Sequence, residues 1–337
     1  MKKITLLILV LGLKSYGQDI HSLSLSAWKN GAKGAYSIIH DDFGMEPAKG
    51  IGQHVDSVAT SMNIPVSFAV VTSHCDAADW KKANEMIAHG HEILNHSHNH
   101  FCGLPVSWCP NDYYDRTDYE TEYNLSTSII KKETGIQPEF FVFPYDLIND
   151  TMLTYLKDSL QMLGARAGEK DAFNRSDSIK NFGLNFHILR PEQDRLVLDS
   201  VVLAAIETGT WAIRGCHGVQ DGSWGSILLK DYVRHLKLLQ KKVATNELWV
   251  ATPVRILKYN RCKKKTKLSF DGNKIAVVNG SEYNQSELTL QINVTGKFDF
   301  IQNGKPLKCR YSKGVVFVNF IPQHGNIKMI KKEVQGL

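Results

Sequence analysis

The sequence predicts an α/β fold: a closed (β/α) barrel of parallel strands, followed by a small antiparallel β-sandwich. Three observations carry this. Across residues 35–251, short apolar runs alternate with amphipathic stretches, the pattern of a parallel sheet with helical crossovers. About seven or eight such units fill roughly 240 residues, which suits a closed barrel better than an open sheet. Beyond Tyr259 the helical periodicity gives way to short strands separated by Asp-Gly and Asn-Gly turns, strong hairpin signals.

Taken in order, residues 1–17 open on two lysines and then turn apolar up to Gly17, which predicts a secretory signal peptide cut before Gln18. No other run is long and apolar enough to span a bilayer, so a soluble, secreted or periplasmic protein is expected. Residues 18–260 form the predicted barrel. Its strands fall at 35–39, 65–71, 91–94, 140–143, 165–167, 210–214 and 248–251. Its helices fall at 46–62, 80–89, 115–134, 150–163, 197–208 and 228–243. Residues 262–337 form the predicted sandwich, with strands at 267–270, 275–278, 287–294, 298–302 and 314–320. From Cys262 on, 13 Lys+Arg stand against 5 Asp+Glu, a net +8, while the whole chain carries +6. That charge suits an anionic polymer or cell wall, and equally a plain solvated surface. At 43% apolar and 22% charged, the 337 residues describe a folded chain with room for both parts. Repeats, low-complexity tracts, glycine-rich phosphate loops and nucleic-acid motifs do not occur in the sequence.

Six cysteines (75, 102, 109, 216, 262 and 309) would meet an oxidising compartment. Cys102 and Cys109, seven residues apart, are a candidate local disulfide; Cys262 with Cys309, and Cys75 with Cys216, are further candidate neighbours. No CxxC spacing occurs, which speaks against a cysteine-rich zinc site.

The chemistry-bearing residues sit where predicted strands end. GHEILNHSHNH, residues 90–100, places His96, His98 and His100 just after an apolar run. Imidazole is the commonest ligand for divalent transition metals. A helical turn at His96 would put His96 and His100 on one face, able to share an ion. A third ligand is offered by AYSIIHDDFG, residues 35–44, whose strand ends in Asp41 and Asp42. Adjacent carboxylates start toward opposite sides of a strand, so one can hold a cation while the other serves as a base.

These two stretches resemble the polysaccharide deacetylases of the NodB-homology type. HDDFG corresponds to that family's Asp-Asp motif, and GHEILNHSHNH to its second, histidine-bearing motif. The resemblance implies a distorted (β/α) barrel with about seven strands and a metal-dependent hydrolase. It implies Asp41 as general base, with Asp42, His96 and His100 as ligands of Zn²⁺ or another divalent ion. His91 and His98 fall on positions the family does not use for metal. The family's Arg-x-Pro-Tyr-Gly motif corresponds to Val142-Phe143-Pro144-Tyr145-Asp146. Pro144 and Tyr145 match, the latter giving its backbone N–H to an oxyanion. Val142 stands where an arginine normally holds the base, and Arg166 or Arg190 is a candidate substitute. The catalytic-acid histidine of the family corresponds to His217, with Trp211 or Trp224 expected to line the acetyl pocket; an Asp-Trp motif of the family has no counterpart. Substrate-side residues are then Pro144, Trp211, Trp224 and Arg166.

The function expected is hydrolysis of N-acetyl or O-acetyl groups on a polysaccharide or oligosaccharide. The same site could act on another acyl ester or amide, and a carbohydrate-binding protein without turnover is the reading from another class. The presence of a base, an acid and metal ligands together favours the enzyme.

Overall fold

The structure, a computed structural model, describes residues 19–107, 109 and 118–332. The predicted signal peptide, and the first residues of the helix predicted at 115–134, lie outside them. The described residues divide into two compact units: Ala27–Lys264, and a second made from residues 19–26 together with 265–332. The first strand, β1 (Ile20–Leu25), therefore lies outside the barrel to which residues 18–260 were expected to belong.

The barrel unit is built on β2 (Gly34–Phe43), β3 (Ser67–Val70), β4 (Glu92–Asn95), β5 (Phe140–Val142), β6 (Gly164–Lys170), β7 (Leu184–Ile188) and β8 (Trp211–Cys216). They pair in the order β3-β4-β5-β6-β7-β8-β2, all parallel, and β2 pairs back to β3, closing seven strands into a ring. An eighth strand, β9 (Leu248–Val250), pairs with the first residues of β2. Strands β2 and β8 are buried along almost their whole length, as parallel strands covered on both faces must be.

Helices cover the ring: α1 (Asp56–Ser61), α2 (Ala77–Ala88), α3 (Ser126–Thr134), α4 (Asp150–Asp158), α5 (Val197–Thr208), α6 (Leu229–Ala244) and α7 (Pro253–Lys264). In α6 the buried residues are Tyr232, His235, Leu236 and Leu239, the i, i+3, i+4, i+7 stripe of a helix facing a core. Each fully buried large apolar side chain of this kind contributes about 1.5–3 kcal/mol. Asp76 starts α2 by accepting from the backbone of Ala78 and Asp79.

Three elements depart from the sequence expectation. The segment predicted as one helix at 46–62 is a short 3-10 turn, a π-helical turn at Ile51–Val55 and then α1. Strand β7 was not predicted: β6 reaches it through a loop without a helix, so the β/α alternation that marked the other strands is missing there. The helix α7 runs through Tyr259, where the compositional change suggested a domain boundary.

The second unit holds two antiparallel sheets, as a sandwich requires. Its strands are β1, β10 (Thr266–Asp271), β11 (Lys274–Asn279), β12 (Leu288–Val294), β13 (Phe298–Gln302), β14 (Lys305–Pro306), β15 (Cys309–Ser312), β16 (Val315–Phe320) and β17 (Ile327–Lys331). One sheet runs β1-β12-β16-β15, the other β10-β11-β17-β13-β14. The Asp-Gly turn joins β10 to β11 and Asn303-Gly304 joins β13 to β14, as hairpins. Asn279-Gly280 does not make one, because β11 pairs with β17 and the chain passes to the other sheet.

Cys102 and Cys109 form the predicted disulfide. Cys262 is buried in α7 and Cys309 exposed on β15, and no bridge joins them; Cys75 and Cys216 are likewise unbridged.

Candidate active site

The site forms at the C-terminal rim of the barrel, around a cleft of about 570 Å³. Its floor begins at β2. Between His40 and Phe43 this strand carries one more residue than β3 opposite, so Asp41 and Asp42 share a β-bulge. A bulge re-aims side chains that a regular pleat would send to opposite faces. Here it brings both carboxylates to the cleft, with Asp42 in the left-handed region at φ 69°.

Strand β4 ends one residue before His96. The loop after it is not helical, contrary to the spacing argument: Ser97 and His100 are left-handed, at φ 70° and 59°. Side chains hold this turn. Asn95 accepts from the Ser97 N–H (2.8 Å), Ser97 Oγ from the His100 N–H (3.0 Å), and Glu122 from Asn99 (2.9 and 2.6 Å). The two imidazoles still converge, with ring centroids 4.8 Å apart.

Asp42, His96 and His100 form a cluster whose ligand atoms all lie within 4.8 Å of one another. Both Nε2 atoms face Asp42 Oδ1, at 3.3 Å from His96 and 3.2 Å from His100. His96 Nδ1 donates to the Val142 carbonyl at 2.7 Å, so in the neutral ring Nε2 presents a lone pair to the cluster. Asp42 Oδ1 is buried without a hydrogen-bond partner among the described residues. Lone pairs converging on a buried, unsatisfied oxygen fit a cation. Burial opposes charge on Asp42, yet the imidazoles of His100 and His96 hold its carboxyl well below its ordinary value. At His96 the facing carboxylate outweighs burial and raises the ring's pKa; at His100 burial wins and lowers it.

Asp41 is 3% exposed and gripped end-on by Arg166, whose Nη1 donates to Oδ1 (3.0 Å) and Nη2 to Oδ2 (2.7 Å). Of the two candidate arginines of the sequence, Arg166 is thus the one on Asp41; Arg190 lines the cleft but pairs with Asp171 at 2.8 Å. A buried bidentate pair fixes the carboxylate in one plane. Arg166 Nη2 also donates to Asp146 Oδ1 (2.9 Å), whose other oxygen faces Lys170 (3.2 Å). Burial works to raise the pKa of Asp146, and Arg166 and Lys170 overcome it to leave it lowered. Asp146, absent from the sequence-based site, was recognisable only as an acid beside the Pro-Tyr motif.

Pro144 and Tyr145 follow β5. Tyr145 lines the cleft with its ring 4.8 Å from that of His100, while buried Pro144 shapes the turn beneath. Tyr145 and Asp146 are both left-handed, φ 57° and 56°, a conformation costing roughly 1–2 kcal/mol for each residue with a Cβ.

His217 follows β8 directly, with Nε2 3.6 Å from Asp42 Oδ2 and Nδ1 buried without a hydrogen-bond partner among the described residues. His40, buried behind it, donates Nδ1–H to the His217 carbonyl at 2.7 Å, and burial lowers its pKa to about 4. Trp224 stands 5.3 Å from the His217 ring, edge to face, and half exposed at the cleft mouth. Trp211 is not at the cleft. It is the first residue of β8, fully buried at the opposite end of the strand, with its indole N–H on Ser37 Oγ. His91 and His98 are structural: His91 faces Thr60 (3.1 Å) and Asp56, and His98 faces Thr72 (2.8 Å).

Among solved structures, the chain resembles a protein of Mycobacterium smegmatis described as a polysaccharide deacetylase. TM-score is 0.54 and identity 12%, over 75% of this chain and 99% of that one, a likeness of fold. A family 4 acetyl xylan esterase from Clostridium thermocellum in complex with a cobalt ion aligns at TM-score 0.45 and 16% identity, over 66% and 91%. The Xyl-CE4 domain of a multidomain xylanase from the hindgut metagenome of Trinervitermes trinervoides aligns at 0.43 and 13%, over 67% and 90%. No curated protein matches the chain. Residues 35–162 match the family profile described as polysaccharide deacetylase.

Proposed function

We propose, from the match of residues 35–162 to the polysaccharide deacetylase profile, that the protein is a metal-dependent hydrolase removing N-acetyl or O-acetyl groups from a polysaccharide or oligosaccharide. The observation that carries the reading is one cleft shared by a three-ligand cluster, an arginine-held carboxylate and a histidine.

Asp42, His96 and His100 would hold the cation, with Zn²⁺ suited to this nitrogen and oxygen donor set. When bound, such an ion supplies Lewis acidity, acidifying a water and polarising a carbonyl. Asp41 takes the proton of the attacking water; its oxygens keep lone pairs beyond those that Arg166 uses. The Tyr145 backbone N–H donates to the oxygen that gains charge. His217 returns a proton through Nε2 to the departing amine or alcohol. Trp224 offers an apolar face to a sugar ring. Export, predicted from residues 1–17, would bring the enzyme to such polymers.

The test is acetate release from acetylated chito-oligosaccharides and from acetylxylan, using protein stripped of metal and then restored with Zn²⁺. Release should depend on the metal, and Asp41→Asn should lower kcat by about 10²–10⁴-fold. The preferred substrate separates amide from ester chemistry. A protein that binds no divalent ion, or one unaffected by Asp41→Asn, would sink the proposal.

A further inference from the structure

We propose that Asp146 and Gly215 are positioning residues that seat Arg166 as the clamp on Asp41. The inference rests on the deacetylase reading only through the role of Asp41.

Arg166 is 2% exposed, so its guanidinium has to be matched by charge and shape from the protein itself. Its Nε has no hydrogen-bond partner among the described residues, and the Nη edge makes the charged contacts. Two of those contacts hold Asp41. The third, to Asp146, comes from a different strand end and fixes the rotation of the guanidinium about its long axis. Lys170 balances the second oxygen of Asp146, so the carboxylate is not left with an unpaired charge.

The backbone gives independent support. Asp146 sits at φ 56°, directly after Tyr145 at φ 57°. Glycine adopts this conformation freely, and a residue with a Cβ holds it only at a cost. The carboxylate on Arg166 is what an aspartate provides there and a glycine cannot.

Gly215 is the converse case. Its φ is not left-handed, so the backbone does not require glycine. A Cβ at this position would lie 2.7 Å from Arg166 Nη1 and 2.8 Å from Ile188 Cδ1. The missing side chain in the fully buried strand β8 leaves the space that the guanidinium fills. Phe186 of β7 completes the seat, with Arg166 Cζ 4.9 Å from its ring centroid. Four elements thus meet at one guanidinium: β2, the turn after β5, β7 and β8.

The experiment compares Asp146→Asn, Asp146→Gly and Gly215→Ala, each alone and combined with Arg166→Gln. Each single variant should lower kcat for acetate release by about 10–100-fold, with KM within about twofold of the parent. Adding any of them to Arg166→Gln should cause no further loss, because both changes act through one group. A second readout needs no turnover: the Arg166 Nη hydrogens, followed by NMR of ¹⁵N-arginine-labelled protein, should exchange slowly in the parent and rapidly in Asp146→Asn. Losses that add to those of Arg166→Gln, or Nη resonances unchanged in Asp146→Asn, would each overturn the proposal. A parent that releases no acetate counts against the deacetylase reading, and the NMR comparison then decides the seat by itself.

Discussion

Asp42 sits at the residue scale of the site's chemistry. Its Oδ1 faces two imidazole nitrogens and no hydrogen-bond donor among the described residues satisfies it. Asn at this position would keep the shape and remove the charge. Asp42→Asn should therefore weaken Zn²⁺ binding by on the order of 100-fold or more, measured by competition with a chromophoric chelator; an unchanged affinity would place the ion elsewhere. Asp41, Asp42, His96, His100 and His217 were legible in the sequence because each stands at or beside a strand end within a short, distinctive string. Arg166, Asp146 and Gly215 were not readable as a group, since they arrive from β6, the turn after β5, and β8, and meet only through closure of the barrel. Trp211 was misplaced for a related reason. His217 lies six positions further along the chain, about 20 Å at 3.3 Å per residue, and a sequence pattern does not say which end of a strand faces substrate.

Among the elements, β4 does two jobs. Its last residue leads into the Asp-His-His cluster, while its first, Glu92, ties the strand to its neighbours. The Glu92 carboxylate accepts from Thr252 Oγ1 (3.0 Å), the Val254 N–H at the start of α7 (3.4 Å) and Ser67 Oγ on β3 (3.4 Å). Burial raises its pKa from 4.5 to about 7. A carboxyl whose pKa is higher folded than unfolded binds more protons in the folded state between those two values. Stability therefore falls as pH rises from about 4.5 through 7, and stays lower above, by about 3 kcal/mol from this group. Glu92→Gln should flatten that slope in urea unfolding measured at pH 5, 6, 7 and 8; parallel pH curves for the two proteins would contradict it. The strands most visible in sequence were those followed by a helix. Strand β7 lacked that context, and the bulge in β2 left no trace beyond the two adjacent aspartates, because register is set by the partner strand.

For the whole molecule, the feature that local sequence could not announce is β1. Its residues IHSLSL read as a short alternating strand, but its antiparallel partner is β12, with Leu23 opposite Ile292. Proximity in sequence favoured the barrel; the hydrogen bonds are made far along the chain. A protein beginning at Ala27 should keep the barrel and its acetate release. It should also expose the edge of β12, seen as faster proteolysis of residues 265–332 and a greater tendency to aggregate. Proteolysis at the parent rate would show that β1 is dispensable to its sheet. The pairing also imposes an order in time. At about 5–20 residues per second, a ribosome reaches β12 roughly 13–50 s after it has made β1. Throughout that interval the barrel sequence emerges and can fold, while the strand that precedes it waits. Each newly made molecule thus carries an unmatched strand at its front until the tail that completes it has been synthesised.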